Sequence, residues 1–336
     1  MSNIPVKIDL TNLEKDDYMW KVQFAINIKL AGECLNNEDT IGNVTKGRVI
    51  RLSDNEVRNA ISGNMINHVF VRNLRGYSNK DELCSTCRIF SPMKNGKLFI
   101  EDDKSLSKTG NRVKACIIDD VCGLMNAGKD KDGNSHNEKR NKVVNWSWGI
   151  AREGVSDSAL YNRVDPTEKN NKKKEDDTTS DANTNSKQNT QMIFHRPIRS
   201  SEYSIMCQMD FARISFDDEK LKYVVNDVDF IKERIKKVIM AFRDTILDIR
   251  GALCSTNMPH LLSVDGVLTQ KLSAQELISK YSPMNEDYKE VHNELSNCIE
   301  FNTPVEFSKV VDLLLDDEYL NTIIERNIKY IEKAFN

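Results

Sequence analysis

The chain has 336 residues, 39% of them apolar and 29% charged, with a formal charge of −3. That length suits one large domain or two ordinary ones, and the acidity excludes a protein that coats nucleic acid by overall charge, so any such role must rest on local patches. No apolar run is long enough to span a bilayer, Met1 to Leu10 has no leader-like apolar core, and eight cysteines without framework spacing point to a reducing cytoplasm.

Val22, Phe24, Ile26, Ile28 and Leu30 alternate with Gln23, Ala25, Asn27 and Lys29, which predicts a strand with one apolar and one polar face. Three cations follow in Lys46-Gly47-Arg48-Val49-Ile50-Arg51. Ser53-x-x-Glu56 then reads as a capping box, and Val57, Ile61, Met65 and Val69 recur at helical spacing. An amphipathic helix is predicted over 54–74, stopped by Gly76. A cation cluster between a strand and a helix N-terminus suits a chain of phosphates, because cations and free N–H groups both attract phosphate oxygens. Lys46, Arg48 and Arg51 are the first candidates; the plainer alternative is a solvated basic loop. Asn55 and Arg58, one turn into the predicted helix, are placed to reach the same phosphates, although Arg58 equally suits a pair with an acid on the helix face.

Cys84-Ser85-Thr86-Cys87 is a single CxxC. Zinc needs four ligands, and neither a second CxxC nor an HxxxH follows at suitable spacing. Cys116 and Cys122 are available to complete a site, but five intervening residues and the apolar Cys116-Ile117-Ile118 context favour burial. No metal and no cofactor are expected. Asp102-Asp103 and Asp119-Asp120 offer carboxylates for Mg²⁺ and phosphodiester cleavage; the preferred reading of Asp119-Asp120 is a solvated turn.

Gly128 to Lys142 reads as a long loop with five basic and three acidic residues, net +2. Val144, Trp146, Trp148 and Ile150 alternate as a strand with both tryptophans in the core. Glu168 to Gln191 has no aromatic and no aliphatic larger than Ala182, and its five lysines balance five acids. It cannot bury enough surface to offset ordering entropy and is expected to be disordered. Its flanks, Tyr161-Asn162-Arg163-Val164-Asp165-Pro166 and Met192-Ile193-Phe194-His195-Arg196, read as the arms of a projecting hairpin. Arg163, Met192, Phe194, His195 and Arg196 there suit base unstacking and phosphate contact, against the alternative that Met192 and Phe194 pack the hairpin base.

Tyr203, Ile205, Cys207, Met209 and Phe211 predict another strand. Ile231, Ile235, Val238, Phe242, Ile246 and Ile249 mark a helix over about 228–250 closed by Gly251, a short strand lies near Leu261 to Leu268, and about 305–334 reads as two helices. The order is the βαββαβ of a ferredoxin-like or RNA-recognition-type α+β fold with long insertions. GxxxxGK[ST] and GxGxxG are absent, and the five histidines form no catalytic pattern.

Cys34-Leu35-Asn36, a spacer, then Lys46 to Ser53 resembles the first strand-loop-helix of Cascade backbone subunits, the Cas-seven proteins of type I CRISPR systems in the RAMP superfamily. Further segments are similar to its DevR-type branch: Asp119-Asp120-Val121-Cys122-Gly123-Leu124 with Val144-Asn145-Trp146-Ser147-Trp148, Asn162-Arg163-Val164-Asp165-Pro166, Arg199-Ser200-Ser201-Glu202-Tyr203, and Gly251-Ala252-Leu253 with Pro259-His260-Leu261. The resemblance implies a right-hand shape in one domain with insertions: a palm over about 18–75, 143–155 and 200–270, a helical finger region over 76–142, a β-hairpin thumb over 156–199 with a disordered tip at 168–191, and C-terminal helices over 271–336. It implies a non-catalytic crRNA-binding subunit, cytoplasmic and not membrane-bound, that polymerises along the guide and presents it to target DNA beside other Cascade subunits. Asn36, Lys46, Arg48, Arg51, Asn55, Arg58, Arg163, Met192, Phe194, His195 and Arg196 are then the RNA-binding candidates. Two alternatives stand beside it: a metal-dependent RNase backbone subunit as in type III effectors, and a filament-forming structural protein that needs no RNA.

Overall fold

The computed structural model describes residues 4–10, 18–42, 44–53, 55–89, 109–129, 135–154, 158–164, 191–251, 254 and 257–335. Its strands are β1 (Lys21–Glu33), β2 (Asn37–Ile41), β3 (Val44–Gly47), β4 (Val49–Ser53), β5 (Glu56–Ile61), β6 (Leu124–Lys129), β7 (Ser135–Arg140), β8 (Val144–Trp146), β9 (Gly149–Ala151), β10 (Ser158–Val164), β11 (Gln191–Pro197), β12 (Arg199–Asp210), β13 (Phe216–Asp217), β14 (Lys222–Tyr223), β15 (His260–Lys271) and β16 (Cys298–Phe301). Its α-helices are α1 (Gly63–Tyr77), α2 (Ser85–Arg88), α3 (Thr109–Ala115), α4 (Ile117–Cys122), α5 (Val228–Leu247), α6 (Tyr288–Leu295), α7 (Pro304–Leu313) and α8 (Asp317–Phe335). The fold is mixed α+β.

The largest sheet runs β16-β15-β1-β12-β9-β5-β4, with β8 also paired to β12. β1 is its axis, antiparallel to β12 (Ile26 opposite Ile205) and to β15 (Ile26 opposite Gly266). The alternation read in the sequence accounts for this. Val22, Phe24, Ile26 and Ile28 are fully buried, each contributing roughly 1.5–3 kcal/mol, and Phe24 packs 4.5 Å from Phe242 of α5 and 6.0 Å from Phe307 of α7. Trp146 is wedged between Phe70 of α1 and Phe242, at 5.9 and 5.7 Å.

The polar face of β1 is covered from Gln23 to Asn27, and Lys29 beyond them is exposed. Ala25 packs with Val267 and Tyr288, the Gln23 amide donates to the Ser279 carbonyl, and Ser204 donates to Asn27 at 2.7 Å. These bonds satisfy polar groups that water would otherwise hold.

Several elements differ from the sequence reading. The segment from Val49 to Ile61 is a hairpin, β4 to β5, with Val49 opposite Asn59. The helix begins later, at Gly63, capped by the Ser62 side chain on the Met65 amide at 3.2 Å. Ser53-x-x-Glu56 therefore spans a hairpin turn, and Gly76 lies inside the last turn of α1, which ends at Tyr77. Within the predicted loop 128–142, residues 128–129 and 135–140 belong to paired strands β6 and β7. The strand 144–150 is split: Ser147 and Trp148 sit between β8 and β9, which turns Trp148 out of the core to 37% exposure. The predicted solvated turn at Asp119-Asp120 is helix α4, and both side chains are fully buried. The C-terminal region adds an unpredicted edge strand, β16, opposite Gly266 to Thr269.

Other elements agree with expectation: β12, α5, β15, α7 and α8, and two hairpin arms, β10 and β11, with Arg163 opposite Met192 and Tyr161 opposite Phe194; β2 and β3, in a stretch read as a spacer and loop, were not expected. The tip between these arms, 165–190, lies outside the described residues. No helix among the described residues is long and apolar enough to cross a membrane, and all eight cysteines are free thiols.

Candidate functional site

A second sheet, β10-β11-β3-β2, brings distant candidates together. The return arm β11 runs parallel to β3, with His195 opposite Val44. Lys46 lies on β3, Arg48 between β3 and β4, and His195 and Arg196 on β11. The strand that carries Lys46 and the β10–β11 hairpin thus share one sheet, although residues 44 and 195 are far apart in sequence.

Lys46 is exposed and has no ion-pair partner among the described residues. The Arg48 guanidinium lies over the Trp148 ring, 5.7 Å from its centroid, and no carboxylate pairs with it among the described residues. An aromatic face holds the cation without consuming its N–H donors, which a carboxylate would do. Arg51 and Asn55 are exposed along the β4–β5 hairpin and its turn. Arg196 borders a shallow surface pocket with Asn37, Glu38, Asp39, Thr40 and Thr45. Only the backbone positions of Arg163, Met192 and Phe194 are described.

Two candidates brace the site. The Arg58 Nε donates to Glu56 at 2.7 Å, and its Nη1 donates to the Arg152 carbonyl. It belongs to β5 rather than to a helix, and its pairing with an acid is the one the sequence left open. Asn36 joins three segments: its carbonyl accepts from the Arg48 amide at 2.9 Å, and its side-chain oxygen accepts from the Ser62 amide at 2.8 Å.

Beneath them lies a buried ionic core. Arg199 pairs with Glu33 at 2.7 Å with both side chains buried, and the Arg199 Nη1 donates to the Arg48 carbonyl at 2.8 Å. The other Glu33 oxygen accepts from the Leu35 amide at 2.8 Å, and the Tyr203 hydroxyl donates to Glu33. Burial, then the Glu33 carboxylate, raise the Tyr203 pKa well above its ordinary value, so it stays a donor. Burial likewise pushes the neighbouring Cys34 thiol up to about 11. Gly251 approaches so closely that a side chain there would meet the Leu35 carbonyl at 2.3 Å. The network fixes the backbone of residues 33–36 and 48, and leaves the cationic side chains outside.

The carboxylates considered for metal chemistry are elsewhere. Asp120 is held by Arg140 at 2.5 Å, Arg234 at 2.9 Å and the Ser215 amide at 2.8 Å, so it anchors α4. Asp119 faces Cys84, Cys87 and Cys116; Cys122 is not in that group. Asp102 and Asp103 lie outside the described residues.

A family model described as "CRISPR-associated negative auto-regulator DevR/Csa2" matches residues 24–293. The chain belongs to the DevR/Csa2 family. No curated protein matches. Among solved structures, it is similar to a chain of a "CRISPR RNA-guided surveillance complex, pre-nicking" at 9% identity, covering 77% of this chain and 80% of that one, with a TM-score of 0.41. It is also similar to a chain of a "CRISPR RNA-guided surveillance complex" at 11% identity, covering 94% and 100%, with a TM-score of 0.40. In this DevR/Csa2 chain the segments that carried the resemblance serve mostly as supports: Arg199 and Tyr203 hold Glu33, Asp120 holds α4, and Gly251 admits Leu35. Trp148 is a functional candidate that sequence reading assigned to the core. Its signal was the neighbouring Ser147, whose side chain accepts from the Met206 amide at 2.8 Å and breaks the alternation.

Proposed function

We propose that this DevR/Csa2 chain is a non-catalytic backbone subunit of a type I CRISPR interference complex, which polymerises along crRNA and presents it for pairing with target DNA. The observation that carries this reading is the pairing of β11 with β3. It joins the β10–β11 hairpin to the segment that carries the cation cluster, bringing His195 beside the exposed Lys46 at one end of a run that continues to Arg48 and Arg51, while Arg196 lies with Thr45 on the other face. Phosphate contacts fix a strand's position without reading its sequence, which is what a guide holder requires.

The palm reading is supported by the sheet. β1 lies between the last strand of the predicted βαββαβ set, β15, and the third, β12; the second, β8–β9, lies outside β12. The two crossover helices, α1 and α5, pack on one face, where Phe70 and Phe242 both flank Trp146. In the proposed hand, residues 76–142 are the finger region, 156–199 the thumb and 271–336 the C-terminal cover. Burial of Asp119 and Asp120 favours a non-catalytic subunit over an RNase, because a cleaving carboxylate must meet RNA and metal. Other Cascade subunits and further copies of the chain are the expected protein partners.

The test is purification with a co-expressed repeat array. The expected result is guide RNA bound in stoichiometric amount, oligomers that dissociate after RNase treatment, and no cleavage of guide-paired RNA in Mg²⁺. Oligomers indifferent to RNase and free of nucleic acid would establish the RNA-independent filament instead, and periodic Mg²⁺-dependent cleavage would establish the nuclease.

A further inference from the structure

We propose that Cys84, Cys87, Cys116 and Asp119 form a closed structural site for one zinc ion. Their donor atoms all lie within 4.8 Å of one another, and all four residues are buried. A tetrahedral site with Zn–S bonds of about 2.3 Å needs sulfur–sulfur separations of about 3.8 Å, so the donors are close to coordination distance before any ion draws them in.

The four ligands come as two pairs of the same spacing. Cys84 caps the short helix α2, and Cys87 lies within its turn; Cys116 caps α4, and Asp119 lies in its first turn. The pattern is CxxC followed by CxxD. A search for a second CxxC or for histidine pairs passes over it, which is why the sequence alone argued against a metal. The Cys87 amide already points at the Cys84 sulfur, 3.4 Å away, and Cys87 Sγ lies 3.9 Å from the Asp119 carboxylate. An N–H directed at a ligating thiolate is the outer-shell support that metal sites use.

The donor set selects the ion. Three thiols and one carboxylate, with no solvent position, suit zinc; magnesium and calcium require mostly oxygen donors. Binding would displace the thiol protons to solvent and leave thiolates on the metal. The site is also braced from both sides. Asp120, next to Asp119, is fixed by Arg140 and Arg234, while Glu82, just before the CxxC, pairs with Lys237 of α5 at 2.6 Å. Zinc would clip the segment after α1 onto α4, closing the two ends of the proposed finger region, 76–142, on each other independently of RNA.

The experiment is metal analysis of the full chain purified under reducing conditions without chelator, together with cobalt substitution. About one zinc per chain is expected, with thiolate-to-cobalt charge-transfer bands and intense tetrahedral absorption in the cobalt form. The Cys84→Ser/Cys87→Ser double variant should lose the metal, and Cys254→Ser, outside the cluster, should keep it. Asp119→Asn should retain the charge-transfer bands but bind zinc at least about 10-fold more weakly, since loss of even an outer-shell partner costs that much. Metal-free native protein whose cobalt form lacks thiolate bands, a disulfide among these cysteines, an iron–sulfur spectrum, or full zinc in the double variant would each overturn the proposal. The cobalt spectrum of the native chain decides the matter even if the double variant does not fold.

Discussion

At the scale of single residues, the site separates into side chains that hold and side chains that reach. Arg199 and Glu33 hold. A buried pair costs about 3–5 kcal/mol when one partner is removed, because the other charge is stranded. Arg199→Ala should therefore lower unfolding free energy by about that amount in a denaturant titration; a loss below about 1 kcal/mol would show that the pair is not the anchor described. Arg48 reaches, supported by Trp148. A partly exposed cation–π contact is worth about 0.5–1 kcal/mol, so Trp148→Ala should weaken guide RNA binding about two- to five-fold with little change in stability. Unchanged RNA affinity would leave Trp148 as a surface residue only. Lys46, Arg48 and Arg51 were legible as a cluster in the sequence because charge density needs no fold to be seen. The Glu33 and Trp148 contacts were not, since each joins residues brought together by the sheet.

At the scale of elements, the instructive case is residues 49–63. Ser53-x-x-Glu56 with apolar residues at 57, 61, 65 and 69 satisfies a helical template, yet Val57 and Ile61 belong to β5, and only Met65 and Val69 belong to α1. A short amphipathic pattern is ambiguous between the two periods, and here pairing of β5 with both β4 and β9 decides for strand. The helix starts where Gly63 lies against the backbone carbonyls of Trp146 and Ser147; a Cβ there would meet both at 2.9 Å. Alanine is the better helix former by about 1 kcal/mol. Overpacking against immobile backbone costs about 1–3 kcal/mol. Gly63→Ala should therefore destabilise the protein in thermal denaturation, and a raised midpoint would contradict this account of the helix start. The strands β1 and β12 and the helix α5 were legible because each is long and buries one continuous apolar face. The hairpin β6–β7 was not, because its sequence carries no apolar alternation and, among the described residues, its strands pair only with each other.

At the scale of the whole molecule, an acidic chain can hold RNA if its cations are gathered on one surface and copies align those surfaces. Residues 168–190 offer no apolar side chain larger than Ala182 to bury, so the fold should not depend on them. Replacing 168–190 with a short Gly-Ser linker should leave solubility and the melting midpoint within experimental scatter; aggregation would show that this segment covers part of the fold. The central claim is that Lys46, Arg48 and Arg51 bind the guide backbone electrostatically. Its most direct test is the salt dependence of guide RNA affinity for the native chain and for the Lys46→Ala/Arg48→Ala/Arg51→Ala variant. Each lost phosphate contact to single-stranded RNA removes about 0.7 from the slope of log affinity against log salt. The account predicts a slope shallower by about 2 with an unchanged circular dichroism spectrum. Equal affinity and equal slope in the two proteins would contradict it.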